Sequence, residues 1–311
     1  MKIDNFALST HQRCPAEYEL RIREHWTSRK RSPALRFGGA LHVGLANWYR
    51  SHDPELALEG IVSSWDSTWD SDDYRTLEKC ARTMIEYIQR YPQETFTVVG
   101  APTTPIVEQT FTLETGWYCG CLSCGHLNDD PEFGYCTSCK TSLEPIEYGG
   151  ILDTLIEFSG TMYVLEHKTT SVMGASYFDQ FKPDNQVTGY IWAGSKMSGG
   201  QVAGAMVNAV AISKTGATRF DRRITSRNAL DIHEWLTSLR MHCTEILRHQ
   251  KLGIFPLRTT SCMTKYGRCQ FHDVHTLSDP GDRFRRLEQD YIKQPWDYEH
   301  RDEPTGVESD A

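Results

Sequence analysis

The hydrophobic positions of this chain change period several times, and the changes divide it into elements. Residues 7–25 read as a helix with Cys14 near its start and Tyr18, Leu20 and Ile22 as apolar points. In residues 37–50, FGGALHVGLANWYR, the apolar Leu41, Leu45 and Trp48 fall at helical spacing, the stripe that a half-buried helix presents to a core. Its glycines allow another element to approach closely. Residues 54–91 predict two further helices, with Cys80 as core filling. From Phe96 the texture turns strand-like: VVG at 98–100 and IVEQTFTL at 106–113 predict two strands about a proline-rich turn. Asp184 or Asn185 can cap a helix carrying Gln186, Tyr190, Ile191 and Trp192, with Gln186 and Tyr190 on one face. Residues 201–212 read as a buried strand and 217–224 as a more polar one. Residues 226–251 read as a long amphipathic helix with Leu230, Trp235, Leu239, Cys243, Ile246 and Leu247 as its apolar positions. From about residue 280, GDRFRRLEQDYIKQ predicts one helix, followed by a disordered acidic end.

Residues 149–170, GGILDTLIEFSGTMYVLEHKTT, predict two buried strands joined at Ser159-Gly160. A two-residue hairpin turn needs positive φ, which glycine supplies. That turn sets Phe158 against Thr161 and, counting back, Asp153 against Glu166. Two carboxylates would then lie roughly 5 Å apart at Cβ. Like charges that close call for a proton or a cation between them. Lys168 projects from the same face as Glu166. Asp, Glu and Lys amid apolar neighbours make a poor core and a good divalent-metal site.

The ten cysteines point to metal binding rather than disulfides in a chain expected to be cytoplasmic. Cys121 and Cys124 form one CxxC pair and Cys136 and Cys139 another, eleven residues apart. This is the spacing of a four-cysteine tetrahedral zinc site, although iron could occupy the same sulfurs. Gly125 fits a tight knuckle turn, and Cys119 is a spare or an alternative to Cys121. Strand-like sequence flanks residues 117–141, so they read as a module inserted at the tip of a β-hairpin and folded by its metal. A looser set, Cys262, Cys269 and His275 with His272 nearby, lies in a predicted loop.

The 311 residues suffice for one large domain or two smaller ones. A net charge of -8 excludes a generally basic nucleic-acid coat, but not a local basic path. The most basic window carries Arg21, Arg23, Arg29, Lys30, Arg31 and Arg36, read either as a solvated helix face or as a phosphate-contacting edge. No apolar run approaches a membrane span, and MKIDNFALSTHQRCP lacks the basic-then-apolar pattern of a signal peptide. A soluble, cytoplasmic protein is expected.

With these pieces in order, the chain resembles the RecB-like branch of the PD-(D/E)XK nuclease superfamily, and within it CRISPR-adaptation and phage-encoded RecB-type exonucleases. The resemblance rests on GGALH with His42, VEQTF with Glu108, GGILD with Asp153, EHK with Glu166 and Lys168, and QVTGY with Gln186 and Tyr190. It implies an α/β fold: a restriction-endonuclease-like core with a central mixed β-sheet flanked by helices, an N-terminal helical region and the inserted zinc-ribbon-like module. Residues 1–276 would be the nuclease domain, with the module at 117–141 inside it, and 277–311 a C-terminal helix and acidic tail.

By the same resemblance, His42, Asp153 and Glu166 would hold a catalytic Mg²⁺ or Mn²⁺ with the backbone carbonyl of His167. Lys168 would position the attacking water and help deprotonate it. Gln186 and Tyr190 would contact the substrate strand or brace the site, with Glu108 a supporting acid. In several relatives one early and three late cysteines bind a [4Fe-4S] cluster. Cys14, Cys262 and Cys269 match three of them, and His275 stands where the family usually has cysteine. That set would hold an iron–sulfur cluster or zinc.

The function expected is a metal-dependent DNA nuclease, acting as an exonuclease on single strands or ends. Recombination, repair, phage DNA processing or CRISPR adaptation would be its setting, in a bacterial host's cytoplasm if phage-encoded. The alternatives are a non-catalytic DNA-binding member, or a zinc-ribbon adaptor that docks a protein partner in a recombination or integration complex. Asp153, Glu166 and Lys168 are all present, which favours the enzyme.

Overall fold

Asp4 closes the first strand, β1 (Lys2–Asp4), and opens the first helix, α1 (Asn5–Arg13), by accepting a hydrogen bond from Ala7 N at 2.8 Å. The computed structural model describes residues 1–30, 32–65, 73–101, 103–264 and 267–298. The helix expected over 7–25 is broken. Cys14 takes an extended conformation and Pro15 starts a new turn, α2 (Pro15–Tyr18), which passes into a π-helical turn, Glu19–Arg23. Pro15 cannot donate an N–H to the preceding helix, so α1 ends before it. Strand β2 (Trp26–Ser28) precedes α3 (Pro33–Ser51), α4 (Pro54–Ser64) and α5 (Leu77–Arg90). Each of these three helices is entered at a proline in its first turn or through an Asp or Thr cap.

Short strands β3 (Thr97–Val98), β4 (Gly100–Ala101) and β5 (Thr104–Pro105) lead into β6 (Val107–Tyr118). The predicted hairpin is β7 (Pro145–Phe158) and β8 (Thr161–Thr170). Helix α6 (Asn185–Ser198) starts where Asp184 accepts from Val187 N and stops at Gly199, at φ 66°. Strands β9 (Val202–Ala211) and β10 (Arg219–Ser226) follow, then α7 (Ala229–Leu252). Leu230, expected on the apolar stripe of α7, is 62% exposed, because it sits in the first turn; Trp235, Leu239, Cys243 and Ile246 are buried. The chain continues through β11 (Met263–Thr264), β12 (Gly267–Arg268), α8 (His272–His275), α9 (Pro280–Asp290) and β13 (Tyr291–Lys293). The helix expected from 280 thus ends at Asp290, and the next three residues pair antiparallel with β2 instead. The acidic end expected beyond it falls outside the described residues.

Seven strands form a mixed sheet in the order β1-β7-β8-β9-β10, with β3 and β6 also paired to β7. β7 and β8 are antiparallel, β8 and β9 parallel, and β9 and β10 antiparallel. The parallel step from β8 to β9 is made through α6, the crossover that parallel pairing requires. The chain forms two compact units: Met1–Lys30, Thr112–Gly150 and Leu236–Ala311 in the first, Arg31–Phe111 and Ile151–Trp235 in the second. In the second, Phe37, Leu41, Leu45 and Trp48 of α3 bury against Ile156, Leu165, Met206 and Val210 of the sheet. The basic window is divided between the two units. Arg21 lies over the Phe6 and Trp296 rings, and Arg36 lies over Trp65; Arg31 is outside the described residues.

Candidate active site

The hairpin turn has the predicted length, and both Ser159 (φ 52°) and Gly160 (φ 75°) adopt positive φ, the mirror-image turn that suits twisted hairpins. Phe158 pairs with Thr161 and Thr154 with Leu165. The paired ladder ends at Thr154 and Leu165, so Asp153 and Glu166, expected to pair, are the residues just beyond its last pair.

Asp153, His42 from α3 and Glu108 from β6 converge: one ligand atom of each lies within 4.8 Å of the others. His42 Nδ1 is 3.5 Å from Glu108 Oε1 and 3.6 Å from Asp153 Oδ1. Glu108 reaches this position with φ at 46°, a conformation that costs a non-glycine residue free energy and is held by its surroundings. Asp153 Oδ2 accepts the His167 N–H at 2.8 Å, which orients the carboxylate. Lys168 Nζ donates to Glu166 Oε1 at 2.5 Å and to Gln186 Oε1 at 2.8 Å. Glu166 is 1% exposed, and its Oε2 has no hydrogen-bond partner among the described residues. Glu166 is not one of the three residues whose ligand atoms converge, but it lies within electrostatic reach of Asp153 and His42, and a buried carboxylate oxygen left over there fits a divalent cation.

The electrostatics follow from burial. Glu166 is pushed up to about 7, first by loss of solvent and then by Asp153, with Lys168 opposing. Burial also raises Asp153, against the pull of His42 and Lys168. Burial alone would lower Lys168, but Glu166 and Asp153 outweigh it and hold the ammonium above its ordinary value. Burial and the neighbouring His42 press His167 well below the usual imidazole range, so its ring is neutral.

The sequence model of the PD-(D/E)XK nuclease superfamily matches residues 6–274. The chain belongs to the PD-(D/E)XK nuclease superfamily. No curated protein matches it. A solved structure similar to it is that of a "Putative exonuclease" from Eubacterium rectale, 12% identical, with a TM-score of 0.48, covering 88% of this chain and 89% of that one.

In this PD-(D/E)XK chain a buried polar network stands behind the hairpin that sequence reasoning missed. His167 Nδ1 meets Asn208 Nδ2 at 2.8 Å, and Asn208 Oδ1 accepts from Arg222 Nε at 3.1 Å. Arg222 then forms a bidentate pair with Glu94 at 2.6 and 2.8 Å and donates to Tyr87 at 2.7 Å. No spacing rule links these positions; they meet because β8, β9 and β10 are neighbours. Tyr190, from the QVTGY motif, packs edge-on against Phe111 at 5.8 Å, a bracing contact.

The four ribbon cysteines of this nuclease-superfamily member come together, with Cys121 and Cys139 Sγ atoms 3.5 Å apart and Cys124 and Cys136 3.6 Å apart. Four sulfurs at tetrahedral Zn–S distances lie about 3.8 Å apart. Both knuckles have the same turn: Gly125 N bonds to Cys121 O, and Lys140 N to Cys136 O. Gly125 (φ 78°) was legible as a knuckle residue; Lys140 takes the same conformation (φ 65°) without being glycine. The Thr141 hydroxyl and amide draw the Cys139 thiol down to about 6, which favours a thiolate ligand. Cys119 stands outside this set, buried and hydrogen-bonded with Cys243.

Cys14, Cys262, Cys269 and His275 all fall in the first unit. Among the described residues they do not form a set of three within single-ion distance of one another, and an iron–sulfur cluster spans more than one ion. Cys269 N bonds to Cys262 O at 2.9 Å, and Arg258 N points at Cys14 Sγ at 3.4 Å. Burial raises the Cys269 thiol to about 11, with Glu17 and Cys14 adding to the effect. Among the described residues no helix is long and apolar enough to cross a membrane.

Proposed function

We propose that the chain is a divalent-metal-dependent deoxyribonuclease that hydrolyses phosphodiester bonds at DNA ends or in single strands. The observation that carries this reading is Glu166: buried, one oxygen on Lys168, the other without a hydrogen-bond partner among the described residues, and raised in pKa by burial and by Asp153 nearby. Asp153 with Glu166-His167-Lys168 fits the superfamily's defining pattern. Asp153, Glu166, His42 and the His167 carbonyl would hold Mg²⁺ or Mn²⁺, with Glu108 close enough to His42 to join them. Carboxylates suit either ion, and the imidazole widens tolerance towards Mn²⁺. Such an ion, when bound, supplies Lewis-acid stabilisation of phosphoryl oxygens and lowers the pKa of water.

The chain's own residues divide the rest of the work. Lys168 keeps its proton, so its contribution is a fixed positive charge beside the developing phosphorane charge rather than proton removal. Gln186 holds the Lys168 ammonium in place. The His167 N–H aims Asp153 Oδ1 into the site, and the Asn208–Arg222 network fixes the His167 ring.

The test is a time course on end-labelled single- and double-stranded DNA with Mg²⁺ or Mn²⁺. Metal-dependent cleavage that disappears in Asp153→Ala supports the reading; cleavage that persists in that variant defeats it. The ribbon supports a second role, because Phe133 and Tyr135 stand exposed on it as an edge-to-face pair. Deleting 118–141 separates the two: unchanged cleavage of bare DNA assigns the ribbon to a protein partner, and lost cleavage assigns it to DNA.

A further inference from the structure

A second group of ligand-type side chains converges in the first unit, away from every motif of the nuclease pattern. His11 comes from α1, and His242 and Glu245 come from one face of α7. One ligand atom of each lies within 4.8 Å of the others, and His242 Nδ1 is 3.9 Å from Glu245 Oε2. His11 is fully buried, at 0% exposure. Its Nε2 lies 3.0 Å from His249 Nδ1. With Nε2–H donating to His249, the lone pair of His11 is left on Nδ1, which is buried and without a partner among the described residues. His242 Nδ1 is buried and unpartnered in the same way.

One buried ring nitrogen without a partner is costly. Two on histidines whose ligand atoms converge with a carboxylate suggest a shared cause. We propose that His11, His242 and Glu245 form a zinc-type transition-metal site that pins α1 to α7, with a water completing the shell from the Glu245 side. Two imidazoles and a carboxylate are a donor set that Zn²⁺ takes with three protein ligands, and imidazole nitrogen argues against Mg²⁺ or Ca²⁺. His249 plays the outer partner that fixes a ligand's tautomer and orientation. The Glu245 side chain is 42% exposed, so it can swing to close the ligand spacing to the roughly 3.4 Å of tetrahedral N/O coordination. Arg258 lies within electrostatic reach of both histidines; the Glu245 carboxylate offsets that charge. Burial holds His11 far below its ordinary value, down to about 3, so the ring is neutral and ready to ligate.

The test compares the full-length protein with Glu245→Gln and His242→Asn. Zinc and cobalt are titrated against a chromophoric chelator, and melting is followed with and without zinc. The ribbon and the nuclease site are common to all three proteins, so differences isolate this site. The wild type should hold one more metal equivalent than either variant. The zinc-induced rise in melting temperature should be smaller in Glu245→Gln than in the wild type, the ribbon's share remaining in both. The cobalt difference spectrum should lack the thiolate charge-transfer band that the ribbon gives. Glu245 is partly exposed, so Glu245→Gln keeps the test decisive even where His242→Asn fails to fold. Equal metal content and an equal zinc-induced shift in wild type and Glu245→Gln overturn the proposal.

Discussion

Glu166 makes the metal-free protein's stability depend on pH in an unusual direction. Its carboxyl moves from an ordinary 4.5 to about 7 in the fold. Between those values the folded chain binds a proton that the unfolded chain has released. Stability therefore falls as pH rises through that window. The shift of roughly 2.5 pH units corresponds to about 3 kcal/mol, a large share of the roughly 5–15 kcal/mol that holds a domain together. Lys168 does not mask this. Its raised value keeps it charged in both states below its ordinary 10.5, so it adds no slope between pH 5 and 8. Asp153 shifts in the same direction and persists in both proteins compared here.

Glu166→Gln cannot ionise. At pH 5 it should match the wild type, and at pH 8 it should be more stable by up to about 3 kcal/mol. Urea midpoints measured without Mg²⁺ or Mn²⁺, and with ribbon zinc retained, give the comparison. Saturating Mg²⁺ at pH 8 should raise the wild-type midpoint and leave the variant where it was, since the ion binds the ionised carboxylate. A wild-type–variant difference that is the same at pH 5 and pH 8 would refute the reasoning.

Lys168→Ala should lower cleavage about 10²–10⁴-fold with its circular dichroism unchanged; near-normal rates would remove Lys168 from the mechanism. Asn208 is fully buried and bonded to His167, Tyr87 and Arg222. Asn208→Leu should cost about 2–5 kcal/mol by leaving the Arg222 Nε and His167 Nδ1 unmatched, and an unshifted urea midpoint would dismiss the network. A Cβ on Gly204 would stand 2.3 Å from Thr225 O in the paired strand. Because that neighbour is backbone, Gly204→Ala should destabilise by about 1–3 kcal/mol, readable as a lower melting temperature with β10 amides exchanging faster.

Much of the site was legible because its geometry is local. A two-residue turn with Ser159-Gly160 at its tip leaves one register, and that register runs back to Thr154 and Leu165, the neighbours of Asp153 and Glu166. The two CxxC knuckles close within a few residues of backbone and bring four sulfurs together by chain geometry alone. The break at Pro15 was equally local and was overlooked, because apolar points at helical spacing continue past it. The strand at Tyr291–Lys293 was hidden for another reason: GDRFRRLEQDYIKQ is polar enough for a surface helix to its end, and only pairing with β2 pulls the last residues out.

By itself, then, the sequence determined the hairpin and its register, the lysine two residues past Glu166 and the ribbon, since each depends on backbone periods and turns of a few residues. Tertiary structure decided which distant groups join them. Glu108 meets His42 and Asp153 because β6 and α3 both converge on β7. Asn208, Arg222 and Glu94 line up behind His167, and His11 faces His242 across two helices. These encounters depend on strand order and helix packing, which arise from the burial of whole faces and leave no trace in the spacing of the residues that meet.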